Sequence, residues 1–498
     1  MMLSENSKFY LKKLIMVISG LFVLTSIATF FYGEIFLRQT IQQHLILRPN
    51  SSRLKLWASP PVRLYRRYYF FHIQNPDEFL DGAKPVLIER GPYVYREILE
   101  KRNIEFLNKN KLKYNPVFSL YFEPSMSIGN ESDIVTVLNV PFAGMIEKSL
   151  HVGHFLPIGL LFDYFETKLF VTRSIRDIVS GYYDPLMHLA KETLPHKFTD
   201  DKFGLLLNKN ATERPFLLVE TGANNTNNIA KVVSWNGKKK LDYWNSERAN
   251  SIQGTDGSFN PPFLKRTEKI YTFNYELCRS YSMTYLRDNV IDGIPTYDFH
   301  LPSDIFSCSN MKKEDFIDEK CLGNGVYNLS KCQDGVSSFI SQPHFLNADE
   351  KFVNSVIGLK PDKDKHDFII HYEPISGTPI EGNVRLQISV FLFRNKNIDT
   401  VKNINPILFP FFWFDEKIYL EKHFKDKLND LKFGYKIVKC LPYVLLLVGL
   451  LSFFVLSGPK AKNAIKKTFF KKKKLIKDQS STSFLERISF KEGNTINI

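Results

Sequence analysis

The sequence predicts an α+β protein of mainly β structure that is anchored in a membrane near both ends. Two observations predict the anchors, because an apolar run without acidic residues lies near each terminus. A third observation predicts the sheet, since several segments between these runs alternate apolar and polar residues with a period of two. With 498 residues, 44% of them hydrophobic, the chain can bury one large core or two modest ones.

The first apolar run covers residues 14–32 and contains no charge. Its length matches the ~20 residues that a helix needs to cross ~30 Å of hydrocarbon. A cleaved signal peptide is the alternative, because residues 26–28 (SIA) form a possible cleavage site. The aromatic residues 30–32 (FFY) favour a retained span, since aromatic side chains often mark the membrane boundary.

The second apolar run covers residues 435–457, and a lysine-rich tail follows over residues 458–498. Much of the formal net charge of +15 lies in this tail, so the sequence does not predict a basic groove that binds nucleic acid. Basic residues also precede the first run. The two basic flanks predict that both tails, 1–13 and 458–498, are cytosolic, and that residues 33–434 form one lumenal or extracellular domain.

The central domain carries signals of an oxidising, glycosylating compartment. Four cysteines lie in it, and an even number there predicts two disulfides. These cysteines are Cys278, Cys308, Cys321 and Cys332. Tripeptides of the form N-x-S/T predict N-glycosylation on the same side of the membrane. They begin at Asn50, Asn130, Asn210, Asn224 and Asn328.

Antiparallel sheet is the predicted framework of the central domain. Residues 271–277 and 384–390 alternate in the manner of strands. Asn236 and Gly237 lie between two apolar-aromatic runs, and this dipeptide favours a tight hairpin turn. Residues 142–180 instead show helical periodicity, in several short helices. Within them residues 154–165 are apolar nearly all round, which predicts core in preference to an exposed hydrophobic surface.

The sequence lacks the motifs of the common enzyme and metal sites. The sequence contains no G-x-S-x-G, H-E-x-x-H, C-x-x-C or Walker pattern, so we predict no catalytic residue, metal or cofactor. His344 and His371 are interpreted as core or turn residues and not as metal ligands. A catalytic triad whose members meet only in the folded chain stays an open alternative.

Seven segments resemble the class B scavenger receptor family, in the order in which that family has them. They are NPDEFLDGAKPVLIERGPYVYRE, KLFVTRSIRDIVSGYYDP, KVVSWNGKKKLDYW, GTDGSFNPPF, CRSYSMTY, GVYNLSKCQDG and PHFLNADEKFVNSVIGLKP. The resemblance covers nearly the whole chain, including both apolar runs. It implies an antiparallel β-barrel-like ectodomain with a helical bundle at the membrane-distal apex and a hydrophobic tunnel toward the bilayer.

The resemblance also implies a function. The chain is expected to bind lipids (a sterol, phospholipid or fatty acid) or lipoprotein-like particles and to transfer lipid through the tunnel, at the plasma membrane or in the endolysosomal membrane. The alternative is a sorting receptor that holds a soluble lumenal protein by its apical helices. Either role needs no catalytic chemistry.

Individual residues follow from the same resemblance. It implies disulfides between Cys278 and Cys332 and between Cys308 and Cys321. It also implies a ligand- or partner-binding apex, whose candidate residues are His151, His154, Phe155, Leu156 and Lys168. Protonation of His154 on acidification is a hypothesis for releasing a ligand there. The alternative is that both histidines lie on a solvated helix face.

Overall fold

The computed structural model describes residues 5–151, 158–307, 322–332 and 337–454. The chain divides into two compact units. One consists of residues 1–40 and 431–498, and the other of residues 41–430. The helices are α1 (Glu5–Leu45), α2 (Ser52–Ala58), α3 (Pro76–Leu80), α4 (Val140–His151), α5 (Ile158–Tyr164), α6 (Ile175–Ser180), α7 (Pro185–Thr193), α8 (Glu247–Asn250), α9 (Glu350–Asn354), α10 (Lys363–His366) and α11 (Lys422–Phe454).

The first unit is a pair of long helices. Parts of α1 (Lys13–Leu45) and α11 are long and apolar enough to cross a membrane. The two helices exchange hydrogen bonds, because the Ser19 hydroxyl lies 2.7 Å from that of Ser452, and the Ser26 hydroxyl donates to Pro442 O at 2.6 Å. The predicted spans, 14–32 and 435–457, fall on these helices, except for residues 455–457, which lie outside the described residues.

The second unit is built around an antiparallel sheet. Its strands are β1 (Val62–Ile73), β2 (Leu87–Asn108), β3 (Lys111–Phe122), β4 (Ile134–Leu138), β5 (Phe170–Ser174), β6 (Tyr182–Tyr183), β7 (Lys202–Phe203), β8 (Leu217–Glu220), β9 (Val232–Trp235), β10 (Ile270–Asn274), β11 (Arg279–Ile291), β12 (Ile294–His300), β13 (Val326–Asn328), β14 (Ser338–Ser341), β15 (Ile369–Glu373), β16 (Thr378–Leu392) and β17 (Ile407–Leu420). The main sheet follows the order β10-β11-β12-β15-β16-β17-β1-β2-β3-β8-β9, with β14 also paired to β16 and β13 to β14.

This sheet is nearly closed into a barrel. The segment 254–255 lies between the two ends of the strand order, since Val232 N donates to Gly254 O at 2.9 Å and Thr255 N donates to Tyr271 O at 3.2 Å. The predicted fold class, mainly β with α and flanked by two apolar helices, is therefore confirmed.

Two local predictions are corrected in part. The turn at Asn236-Gly237 is present, with positive φ at both residues, but Lys238 makes only a single bridge to Trp235 and no second strand follows. Strand β10 ends at Asn274, so the alternation that was predicted to continue to Leu277 runs into a turn. Cys278, the last residue of this turn, has a φ of 46°. The predicted strand at residues 384–390 lies within β16.

The helices α4 to α6 fall in the region predicted to be helical. Helix α6 begins with a capping box, in which Ser174 accepts from Asp177 N and the Asp177 carboxylate accepts from Ser174 N. Phe142 of α4 stacks on Phe162 of α5 at 3.9 Å, and both belong to the core that also contains β1 and β17 residues. The prediction of core for residues 154–165 holds for Phe162 but not for Leu160 and Tyr164, which are exposed.

Candidate functional site

A cavity of about 460 Å³ lies inside the barrel. Four strands line it with residues two apart, which share one face of a strand. They are Arg66 and Tyr68 on β1, Ser338 and Ile340 on β14, Leu386, Ile388 and Val390 on β16, and Phe412 and Phe414 on β17. The period-two pattern of the sequence therefore puts apolar and aromatic side chains around an internal space. Such a space suits an apolar ligand.

A second cavity, of about 530 Å³, shares part of its wall with the first. The shared residues are Leu277, Leu329, Ile340 and Leu386. Its other lining residues come from α8 and the segment after it, from β10 and the residue before it, from β11, from residues 301–306 after β12, from Tyr327 of β13 and from Phe368. The two cavities are thus neighbours with four apolar residues common to their walls.

The guanidinium of Arg66 lines the first cavity. Arg66 donates to Glu97 and to Glu416, at 3.0 Å each. Burial lowers the pKa of the Arg66 guanidinium, but the negative charges of Glu97 and Glu416 outweigh it and the pKa is raised overall. Burial raises the pKa of the Glu97 carboxyl, and the attraction of Arg66 acts against this rise. A buried pair of this kind is held together by its mutual hydrogen bonds.

Arg214 presents a second guanidinium to the same cavity, with different partners. Its Nη2 lies 3.8 Å from Glu276 Oε1, too far for a hydrogen bond, and its guanidinium lies over the Phe118 ring at 4.7 Å. Within the described part of the chain, Nε and Nη2 of Arg214 are buried without a hydrogen-bond acceptor. These two N–H groups form one edge of the fork that binds carboxylates in a bidentate manner.

The backbone fixes the position of Arg214. Its N–H donates to Pro116 O at 2.9 Å, and the N–H of Ala211 donates to Phe118 O at 2.8 Å. The Asn210 amide accepts from Leu120 N and donates to Leu120 O, at 2.8 and 3.2 Å. The segment that carries Arg214 is therefore bonded along β3.

The structure contains the Cys278–Cys332 disulfide, with an S–S distance of 2.05 Å, and both residues line the first cavity. Cys308 and Cys321 lie outside the described residues. Of the apical candidates, Lys168 is exposed and His151 is the last residue of α4. His154, Phe155 and Leu156 lie outside the described residues. The structure therefore does not show whether the five apical candidates lie close together, and the binding apex stays a prediction.

The five glycosylation candidates differ in their surroundings. Asn50, Asn130, Asn210 and Asn224 are exposed residues, whereas Asn328 is half-buried in β13 and accepts from Ser330 N and Oγ. The amide of Asn210 is occupied by Leu120, as described above. All five stay predictions.

Glu89, His344 and His366 bring three possible metal-ligand atoms within 4.8 Å of one another. The Nδ1 atoms of His344 and His366 accept backbone N–H groups from Lys360 and Asp362, so a neutral ring carries its proton on Nε2. Nε2 of His344 lies 2.7 Å from a Glu89 oxygen that also accepts from Trp413. Because Nε2 is protonated and the rings stack nearly parallel, at 13°, this donor set does not fit a metal.

Sequence reasoning missed the charged residues of the cavity. A signal for two of them exists, because Arg66 shares its face of β1 with Leu64 and Tyr68, and Glu97 shares its face of β2 with Tyr93 and Tyr95. A charge that continues an inward-facing apolar series points to a buried ionic group. Arg214 and Glu276 lie between strands, and no periodicity marks them.

Comparison with known proteins gives a consistent answer. A profile of the CD36 family matches residues 17–458. Scavenger receptor class B member 1 of Cricetulus griseus is 35% identical over 387 residues, which cover 76% of this chain and 75% of that protein. Lysosome membrane protein 2 of Homo sapiens is 31% identical over 442 residues, 86% of this chain and 91% of that protein. The resemblance drawn from the sequence motifs is thus confirmed, and the chain belongs to the CD36 family.

Proposed function

We propose that this chain is a non-enzymatic membrane receptor that binds a lipid inside its barrel and passes the lipid along the two adjoining cavities. The observation that carries the proposal is an apolar cavity in which two buried N–H groups of Arg214 have no acceptor among the described residues. An acyl chain gains about 0.8 kcal/mol for each CH₂ transferred from water to an apolar site. The names of the relatives, a scavenger receptor and a lysosome membrane protein, agree with a membrane receptor.

Arg214 favours a lipid with an anionic head, such as a fatty acid, over a sterol. A carboxylate could accept from both Nε and Nη2, and hydrogen bonds to a charged group contribute about 1.5–3 kcal/mol. The acyl chain would then lie against Phe412, Phe414 and Ile388. A sterol offers one hydroxyl and satisfies at most part of the guanidinium edge. Leu329 and Leu386 line both cavities, and we place the passage of the lipid into the second cavity between them.

Binding of radiolabelled palmitate and cholesterol to the purified full chain tests this function. Ile388→Trp fills the first cavity from a half-buried wall position, and Val290→Trp adds the same ring at an exposed position of β11. We expect the first variant to lose palmitate binding and cellular uptake, and the second to keep both. Equal binding by the two variants would contradict a lipid site in the barrel.

The second candidate is a receptor for a soluble lumenal protein. It is favoured by α5, where Leu160 and Tyr164 are 65% and 79% exposed and lie four residues apart on one helix face. Large exposed apolar residues on one face are typical of a contact surface. Leu160→Ser with Tyr164→Ser should abolish co-purification of a stoichiometric partner while palmitate binding is unchanged, if this candidate is correct.

The proposed orientation puts both tails in the cytosol, at the plasma membrane or in endolysosomes. It is supported by the lysines before the first apolar run and by the lysine-rich stretch after α11. Protease protection of tags at each end of the chain in sealed vesicles tests it. Protection of either tag inside vesicles whose outer face is cytosolic would contradict it.

A further inference from the structure

A third cavity, separate from the two inside the barrel, contains a glycosylation tripeptide in its own wall. It has a volume of about 780 Å³ and is lined by the loop after β3, the first residue of β4, the end of β5 and the start of α6. Asn130, Glu131 and Ser132 all belong to this lining. The attachment point of a glycan would thus lie inside the space that the glycan could fill.

The loop that carries Asn130 is held firmly. Tyr93 donates its hydroxyl to Asp133 Oδ2 at 3.0 Å, and Tyr95 donates to Glu131 Oε1 at 2.9 Å. The N–H groups of Ile175 and Arg176 donate to the carbonyls of Asp133 and Glu131, both at 2.9 Å. Two of the three residues that follow Asn130 are therefore fixed by hydrogen bonds to β2 and to the start of α6.

The side-chain amide of Asn130 makes no hydrogen bond to any residue in the described ranges, and Asn130 is exposed. This differs from Asn210 and Asn328, whose amides hold neighbouring groups. A free, exposed amide on a fixed loop is open to modification without loss of a native contact.

Two isoleucines beside the tripeptide lie open to solvent. Ile128 is 70% exposed and Ile134, which lines the cavity, is 67% exposed. Phe122 and Pro124 add further apolar wall, while Arg173 and Asp177 supply polar groups. Sugar rings have apolar C–H faces and hydroxyl edges, so this mixed wall matches their chemistry.

We propose that Asn130 carries an N-glycan whose first sugars lie in this cavity and cover Ile128 and Ile134. In the transfer, Asn130 Nδ2 forms a bond to the anomeric carbon of a lipid-diphosphate oligosaccharide. The bond from that carbon to the diphosphate oxygen breaks, the diphosphate leaves with the electron pair, and Nδ2 loses one proton. The glycan then acts as a cover for an apolar surface that the polypeptide leaves open.

Glycopeptide mapping and carbene footprinting of the full chain, expressed in a glycosylating cell, test the proposal. Asn130→Gln and Ser132→Ala both remove the tripeptide, Ser132→Thr keeps it, and Asn224→Gln removes an exposed tripeptide elsewhere. We expect Asn130 to be glycosylated and labelling of Ile128 and Ile134 to rise about twofold in the first two variants alone. Enzymatic removal of the glycan from the folded wild type should produce the same rise.

Two results would overturn the proposal. The first is an unmodified Asn130 in chains whose other tripeptides are occupied. The second is unchanged labelling of the two isoleucines after the glycan is lost. If Asn130→Gln fails to fold, Ser132→Ala and the enzymatically treated wild type still give the answer, because both retain Asn130 or its folded environment.

Discussion

Buried polar side chains occur in both units of this chain, and they are partnered in different ways. In the helix pair, the hydroxyl of Ser19 has two neighbours, Ile15 O at 2.9 Å and the hydroxyl of Ser452 at 2.7 Å. In the barrel, Arg214 keeps two buried N–H groups without an acceptor among the described residues. A satisfied polar group holds helices together, whereas an unsatisfied one costs free energy that a ligand could recover.

The barrel itself contains both kinds. Nη2 of Arg66 donates to two carboxylates, although Nε of Arg66 is buried without an acceptor among the described residues. Arg214 has no carboxylate within hydrogen-bond distance among those residues. Both guanidinium groups face Phe118, at 5.4 and 4.7 Å. Because the two guanidinium groups have similar surroundings, they differ mainly in their hydrogen-bond acceptors. Arg66 is expected to matter for folding and Arg214 for binding.

The largest expected effect comes from Arg66→Leu. It leaves Glu97 and Glu416 without their common partner, and breaking a buried ion pair costs about 3–5 kcal/mol in the free energy of unfolding. Arg63→Leu is the matched control, because Arg63 is 67% exposed and 3.8 Å from Glu421, a type of pair that contributes about 0–1 kcal/mol. Thermal unfolding of the purified chain measures both. Equal destabilisation by the two variants would show that water already reaches the Arg66 cluster.

A smaller effect is expected from His366, whose pKa is lowered to about 4, mainly by burial. Since the folded pKa lies below the unfolded value, the ring contributes stability above pH 6.5 that is lost as the pH falls toward 4. The loss is at most about 1.4 kcal/mol per pH unit. His366→Gln should weaken this acid dependence in unfolding curves at pH 7, 6 and 5. His188→Gln, at an exposed position, should leave it unchanged.

Arg214→Leu separates binding from folding. We expect the affinity for palmitate to fall about tenfold, equivalent to about 1.4 kcal/mol, because the carboxylate loses both donors. Cholesterol binding and the unfolding temperature should change little, since the Arg214 side chain makes no hydrogen bond within the described residues, its contact with Glu276 is long, at 3.8 Å, and leucine keeps an apolar contact with Phe118. Arg214→Lys should recover only part of the affinity, because a single ammonium does not reproduce the planar fork. Loss of cholesterol binding as well would assign Arg214 a structural role.

The sequence predicted the elements whose pattern is local. The two apolar runs, the alternation in β16, the turn at Asn236-Gly237 and the short helices between α4 and α6 each depend on nearby residues. Prediction failed where a contact from elsewhere decides the outcome. The alternation at residues 271–277 is interrupted after Asn274 by a turn that leads into Cys278, whose disulfide partner is 54 residues away.

The candidate site was less predictable than the fold. Its cavity forms only when β1, β16 and β17 close around it, and Arg214 reaches it from a loop bonded to β3. Neither relation has a local signature in the sequence. Arg66 and Glu97 are the exception, because the alternating pattern of β1 and β2 puts them on the same face as buried apolar residues, and this pattern is visible in the sequence.

The smallest expected effect returns to the helix pair. Ser19 and Ser452 hydrogen-bond across the helices, yet each hydroxyl also has a carbonyl of its own helix within reach, Ile15 O for Ser19 and Val448 O for Ser452. Removing one partner therefore leaves the other satisfied, and a double-mutant cycle of Ser19→Ala and Ser452→Ala should give a coupling of only about 0.6 kcal/mol. Thr25→Ala is the control, because Thr25 bonds only within its own helix among the described contacts. A coupling above about 2 kcal/mol, measured from unfolding in bicelles, would mean that the hydroxyls lack this internal alternative and that the two units are more alike than the contrast with Arg214 implies.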